Sequence, residues 1–153
     1  MKISIKLTDE AVMPTKATPG AAAYDVYIPG TLLVKQGRQV LSLGFALELP
    51  DGYEAKIEPR SGFSSKGMLG SPAENATQGD VRYDCDVIQG KIDSDYRGDI
   101  GVIINNHDLP FYLKKGSRIA QMTIYKVEAV DFVQTEQLSE TERGDGGFGH
   151  TNA

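Results

Sequence analysis

Short apolar alternations, cut by glycine- and proline-bearing turns, run through most of this chain, and they limit the fold more than any other feature. Ile3, Ile5 and Leu7 fall on one face of a first strand, and Tyr24, Val26 and Ile28 on one face of a second. Leu32–Val34, Val40–Leu41, then Phe45, Leu47 and Leu49, then Tyr53, Ala55 and Ile57 continue the pattern. It resumes with Ile100, Val102 and Ile104, with Phe111–Leu113 and with Arg118–Tyr125, and the spacing predicts a last strand over Val127–Val133. Turn signals stand between them: Pro29-Gly30, Gln36-Gly37, Gly44, Pro50-Asp51-Gly52 and Lys114-Lys115-Gly116. Side chains two apart share a strand face, so this rhythm predicts an all-β sandwich or barrel.

Three segments break the rhythm. Residues 61–69 follow Pro59-Arg60 and predict one short helix, the only one. Gly70–Asp84 is polar and rich in turn residues, and reads as a long surface loop or an added hairpin. Gln134–Ala153 has four glycines, no period and few apolar residues, and reads as a mobile tail. The chain of 153 residues is long enough for one domain with a real core, and no repeat or second domain is visible. A formal net charge of −5 argues against a protein that coats nucleic acid, but not against a nucleotide ligand. Cys85 is the only cysteine, so no intrachain disulfide can form. No stretch approaches the ~20 apolar residues of a membrane span, and the first residues lack the apolar run of a signal peptide. The expectation is a soluble, cytoplasmic protein without a membrane or nucleic-acid partner.

Chemistry concentrates in five places. Gly90-Lys91-Ile92-Asp93-Ser94-Asp95-Tyr96-Arg97-Gly98 sets two carboxylates, a phenol and a guanidinium between glycines. It reads more readily as a polar turn with Asp95 and Arg97 paired on the surface, yet a carboxylate at a strand end can also act as a base on water. Arg143-Gly144-Asp145-Gly146-Gly147-Phe148-Gly149-His150-Thr151 offers free backbone N–H groups, a guanidinium for phosphate and an aromatic face for a base; it is equally a linker end. Arg60-Ser61-Gly62 opens the expected helix, where anions collect; the alternative reading of Ser61 is an ordinary cap. Gly62 and Gly67 have the glycine spacing of a phosphate loop, but Met68-Leu69 follow where Lys-Ser/Thr is required. Gln121 is an amide among apolar neighbours that needs a partner, either a neighbouring strand or a ligand oxygen. Small residues lead into Asp25, a strand-start aspartate that can also face a hydrated metal held by phosphates. His107 and His150 lack a ligand spacing, so the sequence builds no transition-metal site.

In order, Pro19–Tyr27, Pro59–Gly67, Gly90–Gly98, Gly116–Ile124 and Arg143–Thr151 resemble the five signature motifs of the trimeric dUTPase family. The resemblance implies a jelly-roll-like β fold assembling as a homotrimer, with a core over 1–133 carrying a 70–84 loop insertion. It also implies a C-terminal arm over 134–153 that closes over a site of another subunit. The implied reaction is hydrolysis of dUTP to dUMP and pyrophosphate with Mg2+, limiting uracil in DNA and supplying dUMP for thymidylate synthesis. Asp93 would activate water, and Tyr96 would pack on the deoxyribose. The Val87-Ile88-Gln89-Gly90 hairpin would read uracil. Arg60, Ser61, Gly62 and Gln121 would hold phosphates, and Asp25 would contact the metal's water shell. Phe148 would cover uracil, with Arg143, Gly149, His150 and Thr151 at the phosphates. Arg143 is also implied in catalysis. Three departures stand out: His150 where the family usually has serine, Asp145 among the phosphate-binding glycines, and the long 70–84 segment. A dCTP deaminase of the same fold is the nearest enzymatic alternative, although that chemistry favours a glutamate near the ring. A regulatory scaffold using 70–84 to bind a protein partner is the non-enzymatic one.

Overall fold

The computed structural model describes residues 1–74 and 79–147. Thirteen strands and one helix follow in chain order: β1 (Ser4–Leu7), β2 (Tyr24–Tyr27), β3 (Leu32–Val34), β4 (Gly37–Ser42), β5 (Phe45–Glu48), β6 (Tyr53–Glu58), α1 (Ser61–Lys66), β7 (Met68–Pro72), β8 (Val81–Tyr83), β9 (Cys85–Ile88), β10 (Gly90–Ile92), β11 (Gly101–Asn106), β12 (Phe111–Leu113) and β13 (Arg118–Lys126). They form sheets ordered β10-β6-β13-β2, β3-β12-β7-β8, β4-β11-β9 and β1-β5, and every pairing is antiparallel. The all-β expectation holds, with the helix where it was predicted. That helix stops at Lys66 because Met68 already belongs to β7.

The alternating positions do what their period requires. On β11 Val102 and Ile104 are buried, and on β5 Phe45 and Leu47 are. Both join Val26, Ile28, Leu43, Ile57, Met68, Ile100, Phe111, Leu113 and Ile119 in one core. Burying such side chains is the main favourable term of folding, about 1.5–3 kcal/mol for each large one.

One departure from alternation matters for function. Ile119 and Ala120 are consecutive in β13 and both fully buried. A register shift between Arg118 and Ala120 lets both point inward, and beyond it Gln121 lies opposite Asp25 of β2 and Glu58 of β6. Bulges re-aim side chains in this way.

Of the two readings of 70–84 the added hairpin holds, and two other expectations are corrected. β7 and β8 pair, Met68 with Tyr83 and Gly70 with Val81. Tyr83 stacks on Phe111 with ring centroids 4.1 Å apart, so the hairpin's base is part of the core. Val127–Val133 is not a strand. The Val127 N–H bonds the Gly52 carbonyl, after which no ladder partner exists among the described residues and Phe132 is 97% exposed. Val87–Gly90 is not a hairpin either. β9 pairs with β11 and β10 with β6, so the chain changes sheets at Gln89.

Candidate active site

The β13 bulge builds the floor of the largest cavity described, about 540 Å³. Directly opposed residues of an antiparallel sheet share a face. Asp25, Gln121 and Glu58 therefore stand side by side on three neighbouring strands, with Thr123 and Tyr125 following on the same face. The wall is α1, contributing Ser61, Gly62, Phe63 and Lys66, with Arg60 just before it. Asp25 is only 7% exposed, and both its oxygens are engaged. Arg60 Nε lies 2.9 Å from Oδ1 and Arg118 Nη1 lies 3.2 Å from Oδ2. A buried carboxylate between two guanidinium groups fixes both cations in place, with one positive charge in excess. Gln121 donates from Nε2 to the Pro59 carbonyl (3.2 Å), and the Thr123 hydroxyl donates to Glu58 Oε2 (3.0 Å). Both bonds tie the floor to the segment that leads into the helix.

Arg60, not Ser61, occupies the position before the helix, and its side chain makes no capping bond. Ser61 is therefore the first helical residue. The Phe63 and Ser64 N–H groups both donate to the Arg60 carbonyl. Those of Ser61 and Gly62 have no intrahelical acceptor by geometry. Both residues line the cavity next to Arg60, a combination that suits an anion.

Asp93 is elsewhere. It lies just past β10, exposed, beside a second cavity of about 280 Å³ lined by Gly90, Lys91, Tyr96, Asp99 and Gly101 among others. No residue lines both cavities. The Tyr96 N–H closes a turn on the Asp93 carbonyl, and the Tyr96 hydroxyl donates to the Asp99 carbonyl at 3.0 Å. A Cβ on Gly98 would come within 2.3 Å of that hydroxyl, so only glycine lets the ring lie flat across the turn. Arg97 does not pair with Asp95 as the surface-turn reading expected. Its Nη1 donates to the Ser94 and Tyr96 carbonyls, which rigidifies the turn and leaves the carboxylates unpaired there.

The other expected residues are dispersed. Val87 is buried in β9, while Gln89 falls between two ladders and belongs to neither register. Ile88 faces Ile103 across β11. Arg143 donates from Nε to the Gly146 carbonyl within an exposed turn of the arm. Phe148, Gly149, His150 and Thr151 lie outside the described residues. Sequence reasoning missed Arg118 as the second partner of Asp25, and Glu58, Lys66 and Arg82 as cavity residues. Only strand register could have linked Arg118 to Asp25, because they are far apart in the chain.

For a metal, no group of three or more His, Cys, Asp or Glu side chains stands together among the described residues. Asp25, already held by two arginines beside Glu58, cannot cage a bare ion. It fits a hydrated Mg2+ gripped mainly from the ligand's side, which is how that ion is usually bound beside phosphates.

Comparison with known proteins identifies the family. A family model described as dUTPase matches residues 9–152. The deoxyuridine 5'-triphosphate nucleotidohydrolase of Hydrogenobaculum sp. is 42% identical, covering 99% of this chain and 98% of that protein. That of Arabidopsis thaliana is 38% identical over 95% of this chain and 80% of its own length. Among solved structures, the dUTPase of Staphylococcus bacteriophage 80alpha with dUPNHPP superposes with a TM-score of 0.82 at 24% identity, covering 99% of each chain. The phage phi11 dUTPase, described with a structural Mg(II) ion, gives 0.73 at 22% identity over 90% of this chain and 98% of that one. With the family model matched over residues 9–152 and a relative 42% identical over 99% of its length, this chain belongs to the dUTPase family.

Proposed function

We propose that this chain hydrolyses dUTP to dUMP and pyrophosphate in sites assembled between copies of itself, as a homotrimer. The observation that carries this is the separation of Asp93 and Tyr96 from Asp25, Arg60, Ser61 and Gln121 into cavities with no residue in common. Neither half contains both a base and a phosphate cradle. Bringing one half from each of two chains supplies both.

In that arrangement the triphosphate lies against Arg60 and the Ser61 and Gly62 N–H groups. Asp93 accepts a proton from a water that attacks the α-phosphorus, and pyrophosphate departs as the P–O bond to the β-phosphate breaks. A base of this kind supplies about 10²–10⁴ in rate. Charge neutralisation and positioning by preorganised donors are the larger contributions. The flat Tyr96 ring leaves no room for a 2′-hydroxyl. The Gln89 peptide, free of both ladders, reads a uracil edge in this arrangement. Mg2+ bound with the triphosphate would supply charge neutralisation there, and Asp25 would face its water shell. The arm over 134–153 then covers the site, with Arg143 and the residues after it meeting the ligand and excluding water. A cytoplasmic location fits this chemistry.

The test is pyrophosphate release measured across the deoxynucleoside triphosphates, with ammonia followed in parallel. Pyrophosphate from dUTP alone supports the reading. Ammonia from dCTP would favour the deaminase, and no product from any nucleotide would favour a scaffold.

A further inference from the structure

We propose that Arg82, carried by the 70–84 hairpin, binds the phosphate tail beyond the α-phosphate in this same cavity; the inference rests on the triphosphate reading above. Three observations converge on it. Arg82 lines the main cavity together with Lys66, at the end of α1 opposite Arg60 and Ser61. Six helical residues span roughly 9 Å, so these cations extend the anion path along the helix rather than duplicate its start. Secondly, Arg82 is held in place: its Nη1 donates to the Gly67 carbonyl at 2.8 Å. Gly67 has a φ of +78°, and a Cβ there would sit 2.4 Å from the Tyr83 carbonyl oxygen, so β8 is pressed against the helix end. Thirdly, the charge is uncommitted. Arg60 and Arg118 share Asp25, whereas neither Lys66 nor Arg82 has a carboxylate partner among the described residues.

A purely structural role is the competing account, since a guanidinium at a helix C-terminus also stabilises the last carbonyls. That contact uses one of five N–H groups, leaving a fork that suits phosphate oxygens. The two accounts separate by ligand. The dissociation constants of dUMP, dUDP and an imido analogue of dUTP are measured by calorimetry for the full chain and for Arg82→Ala. The expected result is a loss of about tenfold for the analogue and for dUDP, the lower end for a charge-assisted bond at an exposed site, with dUMP unchanged. Arg82→Lys should recover part of the loss. Should the alanine variant fail to fold, Arg82→Gln carries the same comparison. Equal weakening of all three ligands, or none of any, overturns the proposal while the site stands. A wild-type chain that binds none of the three overturns the site and the proposal together.

Discussion

In the proposed reaction Asp93 accepts the proton and Gly98 shapes its surroundings, and each gives a separable prediction. Asp93→Asn removes the proton acceptor but keeps the shape, so kcat should fall by about 10²–10⁴ with KM near its original value. Steady-state kinetics at wild-type rate would take Asp93 out of the base role. Gly98→Ala places a methyl where the Tyr96 hydroxyl lies, at 2.3 Å. The ring has room to swing because it is 47% exposed, so fold stability should barely change. The sugar filter should loosen instead, and the ratio of UTP to dUTP turnover should rise; an unaltered ratio would deny Tyr96 that task. Cys85 belongs to no site. Burial, with the nearby Asp86, Asp84 and Asp108 carboxylates, pushes its thiol up to about 12, so it stays protonated and inert near neutral pH.

At the scale of elements, the 70–84 hairpin is the instructive case. Its composition gave no sign that Tyr83 would stack on Phe111 or that Met68 would be fully buried. Polar tips and buried bases share one sequence segment, and only pairing distinguishes them. Tyr83→Ala should therefore destabilise the domain by about 3 kcal/mol, read by urea unfolding. Excising 70–84 should abolish folding, where a dispensable loop would leave a soluble, cooperative protein. The strands were legible because burial imposes a period of two. The β13 bulge and the sheet change at Gln89 were not, since both depend on which neighbour a strand pairs with. The absent strand at Val127–Val133 shows the same limit: apolar residues were present, but no partner strand among the described residues. At the far end of β9 and β11, His107 Nε2 lies 3.0 Å from Asp86, and that contact, aided by Asp84 and Asp108, raises the imidazole's pKa above 6.5. The contact thus stabilises the fold fully below the unfolded value, and the benefit disappears as pH rises through the folded one. Melting temperature should fall with rising pH through this window more steeply in the wild type than in His107→Gln. Parallel curves would mean the contact is not linked to folding.

For the whole molecule, the account depends on chains meeting. One chain alone leaves Asp93 open to solvent, with Val130, Phe132 and Val133 exposed ahead of the arm and Leu138 exposed within it. Sedimentation should give a trimer, and removing residues 143–153 should abolish most activity without dissociating it. A monomer, or full activity in the truncated chain, would contradict that. The family motifs were legible as a set, although each was ambiguous alone. Their grouping into two separate cavities was not, because sequence order carries no distances. The most direct measurement mixes two inactive variants. Asp93→Asn and Arg60→Ala chains are unfolded together at equal amounts, refolded, and assayed for pyrophosphate release from dUTP. If each site draws these residues from different chains, about a quarter of sites regain both, and activity returns to roughly that fraction of wild type. If the mixture stays as inactive as its two parents, both residues serve a site within one chain, and the shared site is refuted.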